Sequence, residues 1–139
     1  MASTAREIMT GGVECVREDE SVLDAARKMK ELGVGALPIC GKDDRLKGML
    51  TDRDIVIKVL AEGLEPGGTT AGELAEGKPV PIGADDGVNE LVRTMARHEL
   101  KRLPVIDGQR LVGVVSEADP AEHATPEQVV AVVRGVYAD

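Results

Sequence analysis

Gly48-Met49-Leu50-Thr51-Asp52-Arg53-Asp54 returns 65 residues later as Gly113-Val114-Val115-Ser116-Glu117-Ala118-Asp119. In both stretches an apolar run of strand character ends on a hydroxyl, and a carboxylate follows three positions on. The likeness continues towards the N-terminus. Leu37-Pro38-Ile39 maps to Leu103-Pro104-Val105, Met29 to Met95, Arg27 to Arg93 and Val22 to Val88, at an offset of 66. At that offset Thr4-Ala5-Arg6-Glu7-Ile8 maps to Thr70-Ala71-Gly72-Glu73-Leu74, and both carry the TxxE spacing of a capping box. One residue is lost where Gly41-Lys42-Asp43-Asp44 faces Asp107-Gly108-Gln109, as a hairpin turn permits. A repeat of this kind decides the architecture.

Within each copy the hydrophobic period changes in a fixed order. Glu14 to Val16 and Val80 to Ile82 read as short strands. Ser21 and Asp86 open helices whose apolar residues recur at helical spacing: Val22, Ala25, Ala26 and Met29, then Val88, Leu91, Val92 and Met95. Two strands with a polar turn follow, Ala36 to Cys40 and Leu46 to Thr51, then Leu103 to Ile106 and Leu111 to Ser116. A helix over Asp52 to Glu62 stops at Gly63, and its counterpart starts near Glu117 with Pro120 in its first turn. The fold class is α/β of the α+β type, two βαββα repeats. Residues 1–63 form the first repeat, 64–69 a linker, 70–124 the second repeat and 125–139 a C-terminal helix, with Val129, Val130, Val133 and Val136 on one side. A half of about 60 residues buries little of its own surface. The two should pack face to face as a pseudo-twofold pair, and the leftover apolar helix faces with the Val-rich tail suggest a homodimer.

Composition narrows the function. The chain has 139 residues, 42% of them hydrophobic and 30% charged, with no apolar run near the roughly 18 residues a membrane span needs. Residues 1–10 lack the charged-then-apolar order of a secretory signal, which places the chain in the cytoplasm as an expectation. Twenty-five acidic against 17 basic side chains give a net charge of −8, which argues against nucleic acid, whose binding depends on cations. Tyr137 is the sole aromatic, so a planar ligand would lie between aliphatic side chains and backbone.

The doubled Leu-Pro-Ile/Val and Gly-x-x-[ST]-x-x-Asp elements resemble the signature of tandem cystathionine β-synthase (CBS) domains, over Thr4 to about Pro120. The stretch from Gly35 to Lys58 is closer still to actinobacterial stand-alone CBS-pair proteins. The resemblance implies a pair of repeats forming a Bateman module. Such a module is regulatory, without chemistry of its own, commonly dimerises through its helices, and usually binds an adenosine ligand such as AMP, ADP, ATP or S-adenosylmethionine. It implies a first-copy site with Thr51 and Asp54 on ribose and phosphate, Arg53 reaching phosphate, and Thr10, Val13 and the backbone of Gly35 and Ala36, with Pro38, lining the path. The second-copy match is Ser116 and Asp119, with Val80, Arg102 and Pro104 nearby. There Glu76 stands in place of Thr10, and Glu117 and Ala118 replace Asp52 and Arg53. These changes add negative charge and remove a cation, which favours the first-copy site. Physically, a carboxylate can accept from a ribose diol while a hydroxyl contacts sugar or phosphate, and a helix N-terminus favours an anion. The same spacing is also a common helix cap, and duplication copies caps as faithfully as sites.

Cys15 and Cys40 should lie on neighbouring strands, where a bridge is geometrically possible and free thiols are the cytosolic default. Both change together in the other copy, to Pro81 and Ile106, and the closer resemblance implies the disulfide. His98 and His123 are the only histidines, too few for a tetrahedral zinc site within one chain. His98 follows Met95 by three, beside the core face of its helix. The closer resemblance implies a metal held between subunits by His98 and His123, with an acid such as Glu99 or Glu122. No cofactor is required on this reading. An enzyme is not expected: no Ser or Cys has a His at motif spacing, and neither GxxxxGK[ST] nor GxGxxG occurs. The competing reading is a ligand-free structural or stress-response dimer held by the disulfide or by metal.

Overall fold

The computed structural model describes residues 4–75, 79–116 and 125–136. In chain order the elements are α1 (Ala5–Ile8), β1 (Thr10–Gly11), β2 (Val16–Arg17), α2 (Val22–Leu32), β3 (Ala36–Cys40), β4 (Leu46–Thr51), α3 (Asp52–Asp54), β5 (Ile82–Gly83), α4 (Val88–His98), β6 (Arg102–Asp107), β7 (Arg110–Ser116) and α5 (Pro126–Val136). They divide into two compact units that cut across the repeats. Unit 1 joins Met1–Val13 to Val80–Asp139, and unit 2 is Glu14–Pro79.

In unit 2 the strand order is β2-β3-β4. β2 runs parallel to β3, as a strand-helix-strand crossover requires, and β3 is antiparallel to β4 with Ala36 opposite Thr51 and Ile39 opposite Gly48. Val16, Val22, Ala25, Met29, Leu37, Ile39, Leu50, Ile55 and Val59 form its core. α2 starts where the Ser21 hydroxyl accepts the Asp24 N–H and ends at Gly33, whose φ of 70° suits a residue without Cβ. The helix after β4 departs from expectation. Only Asp52–Asp54 is α-helical, and Ile55–Leu60 is a π-helix that continues with the Ala61 N–H donating to the Val56 carbonyl. Four β-branched residues in those six disfavour a tight α-turn, and the wider one still buries Ile55 and Val59.

In unit 1 the order is β1-β7-β6-β5. β5 is parallel to β6, β6 antiparallel to β7, and β1 closes the other edge with Thr10 opposite Val114 and Gly11 opposite Gly113. Ala5, Ile8, Ile82, Val88, Leu91, Val92, Met95, Leu103, Val105 and Val115 fill the core. A Cβ on Gly113 would stand 2.7 Å from the Thr10 carbonyl oxygen, so only glycine admits β1 this closely. α5 packs on α4, with Gly135 against the backbone of Ala96.

Two caps differ from the reading of the sequence. Thr70 and Glu73 close the expected capping box, but the Thr4 hydroxyl donates to Glu7 Oε1 at 3.1 Å and caps no N–H. The Glu7 N–H, which a box would hand to that hydroxyl, bonds the Thr4 carbonyl at 3.2 Å, and the Ala5 and Arg6 N–H groups bond the Asp86 and Ala84 carbonyls at 2.9 and 2.8 Å. α4 begins after Gly87, because the Asp86 carboxylate turns back to accept the Gly83 N–H at 2.9 Å. The counterpart helix at Glu117 and Pro120, like the side chains of Val129 and Val136, lies outside the described residues.

Candidate functional site

The hydroxyl-to-carboxylate element of the first copy closes a reciprocal box. The Asp54 N–H donates to Thr51 Oγ1 at 3.0 Å, and the Thr51 N–H donates to Asp54 Oδ2 at 3.0 Å. The other carboxylate oxygen, Asp54 Oδ1, lies 3.3 Å from the Lys58 ammonium, one helical turn on. Capping is thus built in full. It does not exhaust the groups: Thr51 keeps its O–H as a donor, and each Asp54 oxygen has a further lone pair. Ala36 is the cross-strand partner of Thr51, while Pro38 is buried one strand-repeat further along β3. Arg53 is exposed, its N–H donating to the Asp52 carboxylate at 2.8 Å.

Thr10 and Val13, assigned by resemblance to the same site, belong to unit 1. There Thr10 stands opposite Val114, which is also the partner of Pro104, so the three residues run across β1, β7 and β6. Arg102 is exposed and opposite Ser116, and Val80 packs on the unit 1 core. Asp119, Glu76 and His123 lie outside the described residues. His98 sits in the last turn of α4, where it is exposed beside the row that Leu91 and Met95 bury, and the helix ends at Glu99 in the left-handed region. Among the described residues no cluster of three His, Cys, Asp or Glu side chains could hold a metal ion.

Cys15 and Cys40 form a disulfide with their Cα atoms 5.9 Å apart. Cys15 directly precedes β2, which runs parallel beside β3; Arg17 is the register partner of Cys40, so the bridge reaches Cys40 diagonally from the residue just before the strand. Cys40 is fully buried and Cys15 half-buried, its carbonyl accepting from the Lys28 ammonium at 3.2 Å.

Two cations escaped the reading of the sequence. Lys58 follows Asp54 by four, a spacing that signals a helical ion pair. Arg17 bonds the Gly41 carbonyl at 2.7 Å and the Asp44 carboxylate at 2.6 Å, clamping the β3–β4 turn where Asp44 holds φ of 62°. Its partners are turn atoms distant in sequence, which no local pattern announces.

The CBS domain family profile matches residues 5–61 and 71–123. The chain is 51% identical over 134 residues to Hypoxic response protein 1 of Mycobacterium tuberculosis, covering 96% of this chain and 94% of the relative. The crystal structure of Hypoxic Response Protein I with two coordinated zinc ions aligns with a TM-score of 0.81 at 54% identity, covering 88% of this chain and 99% of that one. CBSX2 in complex with AMP aligns with a TM-score of 0.74 at 23% identity, covering 87% of this chain and 95% of that one, a likeness of fold.

Proposed function

Because the chain belongs to the CBS domain family, we propose that it is a regulatory ligand-sensing CBS pair that binds an adenosine-containing ligand and signals occupancy to an effector protein. The observation that carries this reading is the Thr51–Asp54 box at the end of β4, which fixes a hydroxyl donor and a carboxylate acceptor on one spot. Asp54 takes the ribose diol, Thr51 sugar or phosphate, and Arg53 phosphate, with Ala36 and Pro38 against the base. Thr10 and Val13 line the same path. Ser116 and Asp119, with Val80, Arg102 and Pro104, form the second site, weaker for an anion through the loss of the Arg53 cation. A CBS pair of this fold, CBSX2, is crystallised with AMP. The ligand changes the relative arrangement of the repeats and performs no chemistry. The protein works as a homodimer in the cytoplasm.

The test is native mass spectrometry and calorimetry with AMP, ADP, ATP and S-adenosylmethionine. One ligand per chain at micromolar concentration, lost in Asp54→Ala, is the expected result. No uptake of any of them overturns the reading for these ligands.

A second reading is favoured by the Cys15–Cys40 disulfide. The chain is then a structural or stress-response dimer with a metal held between subunits, and the two coordinated zinc ions in the crystal structure of its 54% identical relative support a bound metal. His98 and His123 would supply imidazole nitrogen, a donor zinc accepts well, with a carboxylate completing the set. Elemental analysis of protein purified without added metal, before and after His98→Ala, decides this point. Zinc retained undiminished in that variant removes His98 from the site.

A further inference from the structure

The disulfide of unit 2 is built unevenly. Cys40, the last residue of β3, is fully buried, whereas Cys15 is half-buried in the stretch that leads into β2, so the sulfur–sulfur bond is open to an incoming thiol at its Cys15 end. The bridge also sits on the shortest strand of its sheet. β2 is two residues long and lies at the edge of the order β2-β3-β4, paired to β3 through Val16 and Arg17. The bonds that back the bridge up converge on the same strand end. The Glu18 N–H donates to the Cys40 carbonyl at 3.0 Å, and Arg17 donates to the Gly41 carbonyl at 2.7 Å and the Asp44 carboxylate at 2.6 Å. On the Cys15 side the Lys28 ammonium bonds the Cys15 carbonyl at 3.2 Å and lies 3.7 Å from the Glu20 carboxylate. A cation beside a cysteine favours its thiolate, the form that attacks a disulfide and re-forms one.

We propose that Cys15–Cys40 is a thiol-exchange site, entered at Cys15, through which a dithiol reductant unfastens β2 from β3. A thiolate of the reductant attacks Cys15 Sγ from the solvent side; the sulfur–sulfur bond breaks, its electron pair stays on Cys40 Sγ, and Cys40 takes up a proton. Cys15 is then in a mixed disulfide. A monothiol goes no further, because Cys40, its Cα 5.9 Å from that of Cys15, attacks back and expels it. A dithiol brings a second thiolate that attacks its own bound sulfur, so that it leaves as a closed disulfide and Cys15 takes up a proton as the free thiol. Two electrons pass to the protein, and the reductant is oxidised by as many. With both thiols free, β2 stays on the sheet through buried Val16 and the Arg17 clamp, so reduction loosens this edge without unfolding unit 2. Arg17 is thus a second lock, felt fully only once the first is open.

The test uses the full chain, with far-UV circular dichroism to verify folding. Cys40→Ser, treated with oxidised glutathione, should take up one glutathione on Cys15, whereas Cys15→Ser should take up none on the buried Cys40, both read by peptide mass spectrometry. In the wild-type protein dithiothreitol should free both thiols at a rate that is flat in dilute urea. Amide exchange over residues 16–18 should then rise about tenfold while residues 46–51 keep theirs, and oxidised glutathione should restore the bridge and the slow exchange. Arg17→Ala should change that exchange little in the oxidised protein and by about a further tenfold in the reduced one. Uptake by Cys15→Ser equal to that by Cys40→Ser overturns entry at Cys15. A reduction rate that climbs with urea in step with unfolding overturns the inference and leaves a structural bridge. Unchanged exchange over residues 16–18 in the reduced protein overturns it as well, since the bridge then fastens nothing that Val16 and Arg17 do not.

Discussion

Asp54 divides one carboxylate between the Thr51 N–H and the Lys58 ammonium. Removing the partner hydroxyl by Thr51→Ala leaves the Asp54 N–H uncapped and should cost about 1 kcal/mol in urea unfolding. Asp54→Asn keeps an acceptor for the Thr51 N–H and should cost less, so a loss of ligand in that variant cannot be blamed on unfolding. Asp43 gives a pH-dependent counterpart in the β3–β4 turn. The Arg45 N–H donates to its carboxylate, which holds the group below the usual value of 3.8. A carboxyl depressed in the folded state stabilises the fold above its unfolded pKa, and that stability is lost as the pH falls through the folded value. Asp43→Asn should therefore lower the urea midpoint at neutral pH, and the two midpoints should converge below about pH 4.

Gly135 decides how closely α5 can lie on α4, since any Cβ there meets the backbone of Ala96. Gly135→Val should lift α5 off, seen as faster amide exchange across Pro126–Val136 while unit 2 is unchanged. β3 and β4 were readable to the residue, because apolar runs between polar turns mark a strand at both ends. The helix after β4 was readable in extent but not in type, since buried Ile55 and Val59 suit an α- and a π-turn alike. At Thr4 the pattern of a cap was present without its geometry, because the hydroxyl donates to the Glu7 carboxylate, the Glu7 N–H bonds the Thr4 carbonyl, and carbonyls of Asp86 and Ala84 take the Ala5 and Arg6 N–H groups. The Thr51–Asp54 pair showed in the spacing. The Arg17 clamp and the two-residue β1 did not, for a side chain bonding a distant turn and a strand too short to alternate leave no period.

Over the whole molecule the repeats and the compact units disagree, since Met1–Val13 leads the first repeat yet packs with the second. Deleting residues 1–13 should therefore destabilise unit 1, with amide protection lost along β7 where β1 is removed, and spare β3 and β4. The disulfide belongs to the other unit and closes a span of 25 residues within it. Replacing both cysteines by alanine should cost about 3 kcal/mol, read as an earlier loss of unit 2 in denaturant. The interleaving also sets an order in time. On the ribosome the N-terminal segment emerges first, but the strands and helix it packs with are made last, after all of unit 2. Unit 2 can close while the chain is still growing, whereas Ala5 and Ile8 must wait, apolar and uncovered, until Val80 and the residues beyond it have been translated.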